Sequence, residues 1–264
     1  MENIHEKVFS TLERLSLKNK ILSITVDNGR NVVSGMNKLA EHLESINVNC
    51  LIIRCAAHSL NLIVKEGLSS SKIILEKIRN LSISVRVSSK KRQSFFNLAK
   101  TKDLEILPIM DVQTRWNSTY LMLERALQLK YISILFEFQE KMDSISENEW
   151  NDLQSIHILL QGFYEATLAL EASIYPTISN ALVIFAVLRQ NLVNFKDSSV
   201  DVIRNMVNSI YSKLQEYWSN IISLPCVVAA VLDPRIKLKL LSDEQTKCVI
   251  DMMNEIDTAL AKKI

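Results

Sequence analysis

The sequence predicts an α/β beginning that turns mostly α: one βαβ unit followed by a large helical region. Three observations predict it. Two short apolar runs flank one amphipathic stretch near the N-terminus. Beyond them, apolar residues recur at helical spacing almost to the end of the chain. Only 4 Gly and 4 Pro occur in 264 residues, whereas an all-β chain needs a turn signal roughly every 8–12 residues. This length permits one large domain or two small ones around a sizeable core.

The elements follow in order. Ile21-Leu22-Ser23-Ile24-Thr25-Val26 is short, apolar and partly β-branched, so it reads as a buried strand. Asp27-Asn28-Gly29 ends it with a turn sequence. Val32, Met36, Leu39, Ala40 and Leu43 then lie at helical spacing, which predicts a helix over about 31–46. Cys50 to Arg54 reads as a second strand. Strand, helix, strand defaults to a parallel pair, and a pair buried on both faces belongs to a larger sheet. From His58 the pattern is helical, with Gly67 as the residue that ends the first helix and Ser71 as the cap of the next. That next helix carries Ile74, Ile78, Leu81 and Val85. A polar stretch runs from Ser88 to about Gln113. After Arg115 a long amphipathic pattern carries Tyr120, Leu123, Leu127, Tyr131, Ile134 and Phe138. Ser146 precedes a helix with Trp150, Leu153, His157, Leu160 and Tyr164. Pro176 sits where a helix start is allowed. Further helices cover Ile178 to Phe195 and Asp201 to Ile222, and a last one starts near Ser242.

Composition excludes some functions. Hydrophobic residues make up 48% and charged residues 23%, an ordinary globular mixture. A net charge of +2 neither demands nor forbids a nucleic-acid partner, because local clustering decides that. Met1 to Lys7 has no apolar core and does not read as a signal peptide. No run of about 18 apolar residues is present, so no membrane partner is expected. Cys50, Cys55, Cys226 and Cys248 form no CxxC pair and read as reduced thiols. Nucleotide-binding glycine loops, GxSxG and HExxH are all absent.

Asp27 is the leading candidate for chemistry, since a carboxylate just past a strand's C-terminal end is where open α/β sheets place functional groups. From local sequence it also reads as no more than part of a polar turn. Two-metal phosphoryl transfer needs further carboxylates converging with it. Cys55 and His58 have CxxH spacing, half of what a zinc site requires. No matching pair exists elsewhere, so no zinc is expected. Arg115 and Trp116 sit at a loop-to-helix junction. Arg pairs with phosphate and Trp stacks on an exposed base, although a lone Trp also serves as a core anchor. Lys90-Lys91-Arg92 is a short basic run, suited to phosphate or merely solvated.

Four segments together resemble the hAT transposase family and its relatives with BED-type zinc fingers, the RICESLEEPER-like proteins. They are Ile24 to Asn31, Arg54 to Val64, Thr114 to Tyr120 and Ala229 to Lys237. The resemblance spans about Lys18 to Leu241. It implies a partial RNase H-like βαβ core over 1–113 and a large α-helical insertion domain over 114–264. It also implies metal-dependent DNA chemistry with two Asp and one Glu holding Mg or Mn. Asp27 resembles the second Asp. Cys55 and His58 match a CxxH motif beside the active site. Arg115 and Trp116 match an RW motif whose Trp stabilises a flipped base. DNA, as transposon ends or hairpins, is the implied partner. Self-association and a nuclear location are implied as well.

Departures bear on activity. The strand with the first Asp, the Ser-x-x-Glu-Arg-x-Phe-Ser segment with the Glu, and the BED finger find no match in these 264 residues. Asp27 is therefore read as an orphaned ligand, and the chain as a DNA-binding, catalytically incomplete fragment or domesticated derivative. Three alternatives stand beside this reading. The helical region serves as a protein-interaction scaffold or regulator. Asp111 or Glu66 completes the site. Flanking exons restore the missing parts.

Overall fold

A computed structural model of the chain describes residues 4–21, 23–171, 177–221 and 224–237. Its contacts divide it into two packing units. The first gathers residues 1–60, 170–186 and 215–264; the second gathers 61–169 and 187–214.

In the first unit, α1 (Ile4–Arg14) and a short 3-10 turn (Lys18–Lys20) lead into β1 (Ser23–Val26), then α2 (Arg30–Ser45) and β2 (Leu51–Arg54). β1 and β2 pair in parallel, with Ser23 opposite Leu51 and Val26 opposite Arg54. Side chains alternate between the faces of a strand. Ile24, Val26 and Ile52 join Met36, Leu39 and Leu43 of α2 and Val8 and Phe9 of α1 in one apolar cluster. Thr25 and Ile53 instead line a cavity of about 130 Å³ with Leu170, Ile178 and Ala181. The strands are not buried throughout, as the apolar run suggests: Leu51 is 41% exposed, and Ser23 and Thr25 are exposed. Among the described residues the sheet has two strands, so each keeps one edge without a neighbour. α11 (Leu224–Leu232), which the periodicity does not single out, also belongs to this unit. Its Ala230 packs with Leu182 and Ile236.

α3 (Ala56–Ser69) begins in the first unit and continues into the second. Gly67 does not end it. A Cβ at Gly67 would lie 2.4 Å from Ile210 Cγ1 and 3.2 Å from Met206 Cγ. The glycine is there so that α3 can approach α10 (Asp201–Ile221) closely. α4 (Lys72–Val87) follows, with Ser71 at the cap position as expected, but the Ser71 hydroxyl makes no capping bond and lies buried without a partner. The polar stretch after it forms a helix, α5 (Ser89–Lys100), capped by Ser88 Oγ accepting from the Lys91 N–H. Its buried Phe95 and Ala99 supply the apolar face that so polar a segment conceals.

The long amphipathic pattern breaks at Leu129 into α6 (Trp116–Gln128) and α7 (Lys130–Glu140). Leu129 is fully buried and non-helical, with φ −98° and ψ 6°. The break shifts the phase. Ile132 and Phe136 turn inward to meet Leu81, Val85 and Phe95, while Tyr131 is 55% and Phe138 86% exposed. α8 (Glu147–Leu170) opens on a reciprocal cap: Ser146 Oγ accepts from the Glu149 N–H, and the Glu149 carboxylate accepts from the Ser146 N–H and hydroxyl. Such a cap is worth about 1 kcal/mol. Trp150, Leu153, Ile156, Leu160 and Phe163 then form its buried stripe.

α9 (Ile178–Phe195) starts beyond Pro176, which lies outside the described residues, as does the helix expected near Ser242. With a mean hydropathy of 1.3, α9 is the one described helix long and apolar enough to cross a membrane. Asn180, Arg189, Gln190, Asn191 and Asn194 interrupt it, so no unbroken apolar run marks it in the sequence. Its Leu182, Phe185, Leu188 and Leu192 are buried against protein.

Candidate nucleic-acid interface and strand-end site

The strand register builds the first site. Because Val26 pairs with Arg54, Asp27 and Cys55 leave the sheet together at its C-terminal end. The Cys55 N–H donates to the Val26 carbonyl at 2.7 Å and extends the ladder by one bond. Asn28 Nδ2 donates to Ser59 Oγ at 2.8 Å, and Ser59 Oγ donates to the Cys55 carbonyl at 3.1 Å. The turn after β1 is thus tied to the first turn of α3, the helix that also carries His58. The structure therefore brings Asp27 and the CxxH pair to one end of one sheet.

Asp27 is exposed, and its Oδ1 accepts the Gly29 N–H at 2.9 Å. Among the described residues no group of three or more His, Cys, Asp and Glu is placed to hold a metal. A two-metal centre needs several converging carboxylates. The described surroundings of Asp27 supply one, so they do not fit such a centre, and no metal-dependent step is derived from them. Cys55 and Cys226 both line the 130 Å³ cavity, along with Arg54 and Thr177. Burial pushes the Cys50 thiol up, which keeps it protonated and unreactive.

The second site lies at the start of α6. Arg115 is the N-cap residue and is exposed. Trp116, the first helical residue, is only 2% exposed, and its backbone N–H donates to Asn61 Oδ1 at 3.3 Å. The indole N–H is buried with no acceptor. Trp116 thus sits in the core in this conformation and presents almost no surface for stacking. It lines a cleft of about 290 Å³ together with Lys65, Ser69, Lys72, Arg79 and Gln113.

Electrostatics fix this region. Arg79 is 9% exposed, on the apolar face of α4. Its Nε and Nη2 donate to both oxygens of Asp111, at 2.6–3.2 Å, and its Nη1 donates to Glu76 at 2.7 Å. Thr119 Oγ1 donates to Asp111 Oδ2 at 2.8 Å. Burial alone would raise the Asp111 pKa, but the bonds from Arg79 and Thr119 outweigh it and hold the carboxyl below its ordinary value. The bond to Asp111 raises Arg79 in turn. This network pins the segment that leads to Arg115. Ser118 completes the pinning: its Oγ accepts from the Val112 N–H at 2.7 Å.

The basic run falls in the first turn of α5. Lys90 and Arg92 are exposed and have no ion pair among the described residues. Lys91 reaches Glu140 at 3.6 Å. Sequence reasoning misses Arg79, Lys65 and Lys72 as neighbours of Trp116. One signal was present for Arg79: it falls in phase with Leu75, Ile78 and Ser82, on the stripe that α4 buries.

The comparisons agree with this architecture. Residues 53–159 match the family model described as the ZBED1 RNase-like helical domain. Residues 183–262 match that of the hAT-like transposase, RNase-H fold. A Zea mays protein named as an AC transposase is 26% identical over 89% of this chain and 31% of its own length. Zinc finger BED domain-containing protein RICESLEEPER 2 of Oryza sativa is 25% identical over 92% of this chain and 35% of its own length. Zinc finger BED domain-containing protein 4 of Homo sapiens is 25% identical over 74% of this chain and 17% of its own length. The chain therefore spans about a third or less of the relatives it matches. Over most of its length the chain is therefore similar to the hAT-like transposases and their BED-type zinc-finger relatives.

Proposed function

We propose that this chain is the DNA-contacting part of a transposase-derived protein that acts in the nucleus, and that it does not cut DNA by itself. One observation carries the DNA reading: Arg115 stands exposed at the start of α6, beside a cleft lined by Lys65 and Lys72. Arginine and lysine at a helix start are suited to phosphate. Lys90 and Arg92 add two exposed cations on α5. Asp27 would serve as one metal-holding carboxylate, with Mg or Mn, only where further carboxylates complete the set. Trp116 would reach a base only by leaving its buried position.

A salt titration with labelled hairpin and single-stranded DNA ends tests this. Affinity should fall as salt rises, with a log–log slope of about −0.7 per phosphate neutralised on single strands. Arg115→Gln and Lys90→Gln/Arg92→Gln should each flatten that slope. Absence of measurable affinity for either DNA at low salt would refute the proposal.

A further inference from the structure

We propose that the outer face of α7, formed by Tyr131, Ile134, Leu135 and Phe138, docks on the same face of a second copy of this chain, with the two helices antiparallel.

The polarity of α7 is turned about. At about 100° per residue, these four side chains fall within an arc of about 100°. Phe138 is 86%, Tyr131 55% and Ile134 38% exposed, and Leu135 is half-buried. Tyr131 keeps that exposure with Lys102 Nζ 4.7 Å from its ring. The polar residues that suit such a face lie inside instead: Ser133 and Glu137 are each 1% exposed. The Ser133 hydroxyl has no partner among the described residues, and the Glu137 carboxylate accepts the Ile145 N–H at 3.2 Å. Ile132 and Phe136 are already packed in the core, so α7 is apolar on two sides. A helix apolar all round is one that is covered all round.

Two properties select a second copy as the cover. A two-fold interface needs a face that complements itself, so that where residue i meets residue j, j also meets i. The order aromatic, aliphatic, aliphatic, aromatic meets this requirement. Reversed, it sets Tyr131 against Phe138 of the second copy and Ile134 against Leu135 of the second copy, and each contact occurs twice. Charge is the other property. In the same register Lys130 lies opposite Gln139 of the second copy, and Lys141 opposite Gln128 of the second copy; both glutamines are exposed. No like charges meet, and each ammonium is offered a side-chain amide oxygen. The carboxylates of α7 stay off the face, since Glu137 is buried and Glu140 is paired with Lys91 at 3.6 Å. Lys130 gives Glu147 one of its donors, and an ammonium has three. Area sets the strength. Taking about 200 Å² for a whole aromatic residue, the two rings expose roughly 300 Å² per copy. With the aliphatic pair the face comes to about 400 Å², the size of a functional surface patch. A stable interface takes about 800 Å² from each partner. The pair is therefore weak, with a dissociation constant above about 1 µM.

The test is sedimentation equilibrium of the full chain from about 5 to 500 µM, the range in which an interface of this size associates. The unaltered chain should pass from monomer to dimer across it. Phe138→Glu and Tyr131→Lys, both at exposed positions, should each weaken self-association about tenfold or more. Mixed in equal amounts, the two variants should associate again. The introduced carboxylate and ammonium then meet at one contact, and the native rings meet at the other. Gln139→Lys removes no apolar surface but puts an ammonium opposite Lys130 of the second copy, so it should also weaken association. Melting curves of all three variants at low concentration should match that of the unaltered chain, since none of these side chains is in the core. A chain that stays monomeric throughout the range overturns the proposal and leaves the face to a helix of another protein. Association that persists in all three variants overturns it as well, because another surface is then responsible. Variants that lose association and do not recover on mixing overturn the antiparallel register.

Discussion

Removing the Asp111 carboxylate should destabilise the second packing unit more than any surface change in it. The Asp111 side chain is 1% exposed and that of Arg79 11%. Asp111→Ala deletes the acceptor of three hydrogen-bond contacts from Arg79 and one from Thr119. It leaves a nearly buried guanidinium with one carboxylate, Glu76, whose own side chain is 42% exposed. Breaking a buried ion pair on one side costs about 3–5 kcal/mol. Because Glu76 still compensates in part, the lower end, about 3 kcal/mol, is the expected loss. In urea, with a slope of about 1–3 kcal/mol per molar, that moves the midpoint down by roughly 1–3 M. Replacing both partners, Arg79→Met with Asp111→Leu, should restore most of it, since no uncompensated charge then remains. The pH dependence has a fixed sign. The folded-state pKa of Asp111 lies below its ordinary 3.8. Its contribution is therefore complete above about 3.8 and is lost as pH falls through the lower folded value. Asp111→Ala should lack that part of the acid loss. A midpoint for Asp111→Ala equal to that of the unaltered chain would refute the reasoning, because it would mean Arg79 is not held in the buried network described.

Two further outcomes follow from packing. Gly67→Ala places a Cβ 2.4 Å from Ile210 Cγ1. Overpacking of this kind costs about 1–3 kcal/mol, while the alanine gains about 1 kcal/mol of helix propensity. A net loss of up to about 2 kcal/mol is expected in urea unfolding, relieved when Ile210→Ala is added; a stabilised Gly67→Ala would show that α3 and α10 have slack. His157 is stacked on Tyr120 at 4.7 Å, with its Nε2 buried and unpartnered. Burial lowers its pKa below 6.5, against the opposing pull of Glu124. The unfolded chain thus binds this proton more readily than the folded one, so stability is full above 6.5 and declines as pH falls through the window beneath it. The melting temperature should drop between pH 7.5 and 5 in the unaltered chain and drop less in His157→Gln.

Local pattern made the beginning of the fold legible. Ile24, Val26 and Ile53, with the turn at Asp27 to Gly29, specify a strand, a helix and a parallel strand without any long-range information. The breaks were less legible, because their causes lie far away in sequence. Gly67 looks like a helix end until Ile210 is known to pack on it. The stripe through Tyr131 and Phe138 looks continuous because nothing local marks Leu129 as the residue that joins Leu81 and Phe95 in the core. Ser89 to Lys100 is polar enough to read as a connection, and only Phe95 and Ala99 are fully buried on it, with Leu98 packed beside them. At the candidate interface, residue types pointed to Arg115 and Trp116. The side chains beside Trp116 come from α3 and α4, some 40 to 50 positions earlier, and no spacing rule reaches that far.

Two aspartates that look alike in the sequence differ once their partners are known. Asp111 was a candidate to complete a site with Asp27. Both of its oxygens accept from Arg79, and one also accepts from Thr119. A carboxylate committed in this way is poorly placed to bind a metal, since doing so would strand a buried guanidinium. Asp27 is exposed, and only its Oδ1 is engaged, by the Gly29 N–H of its own turn. Its turn is nonetheless held in place, through Asn28 and Ser59, against the start of α3. An available carboxylate on an anchored turn suits ligand binding: the geometry is fixed in advance and no existing bond must break. The same contrast separates the cations. Arg79 stabilises the fold because it is fully paired. Lys65, Lys72 and Arg115 are where binding should register, because their charge is not offset within the described protein.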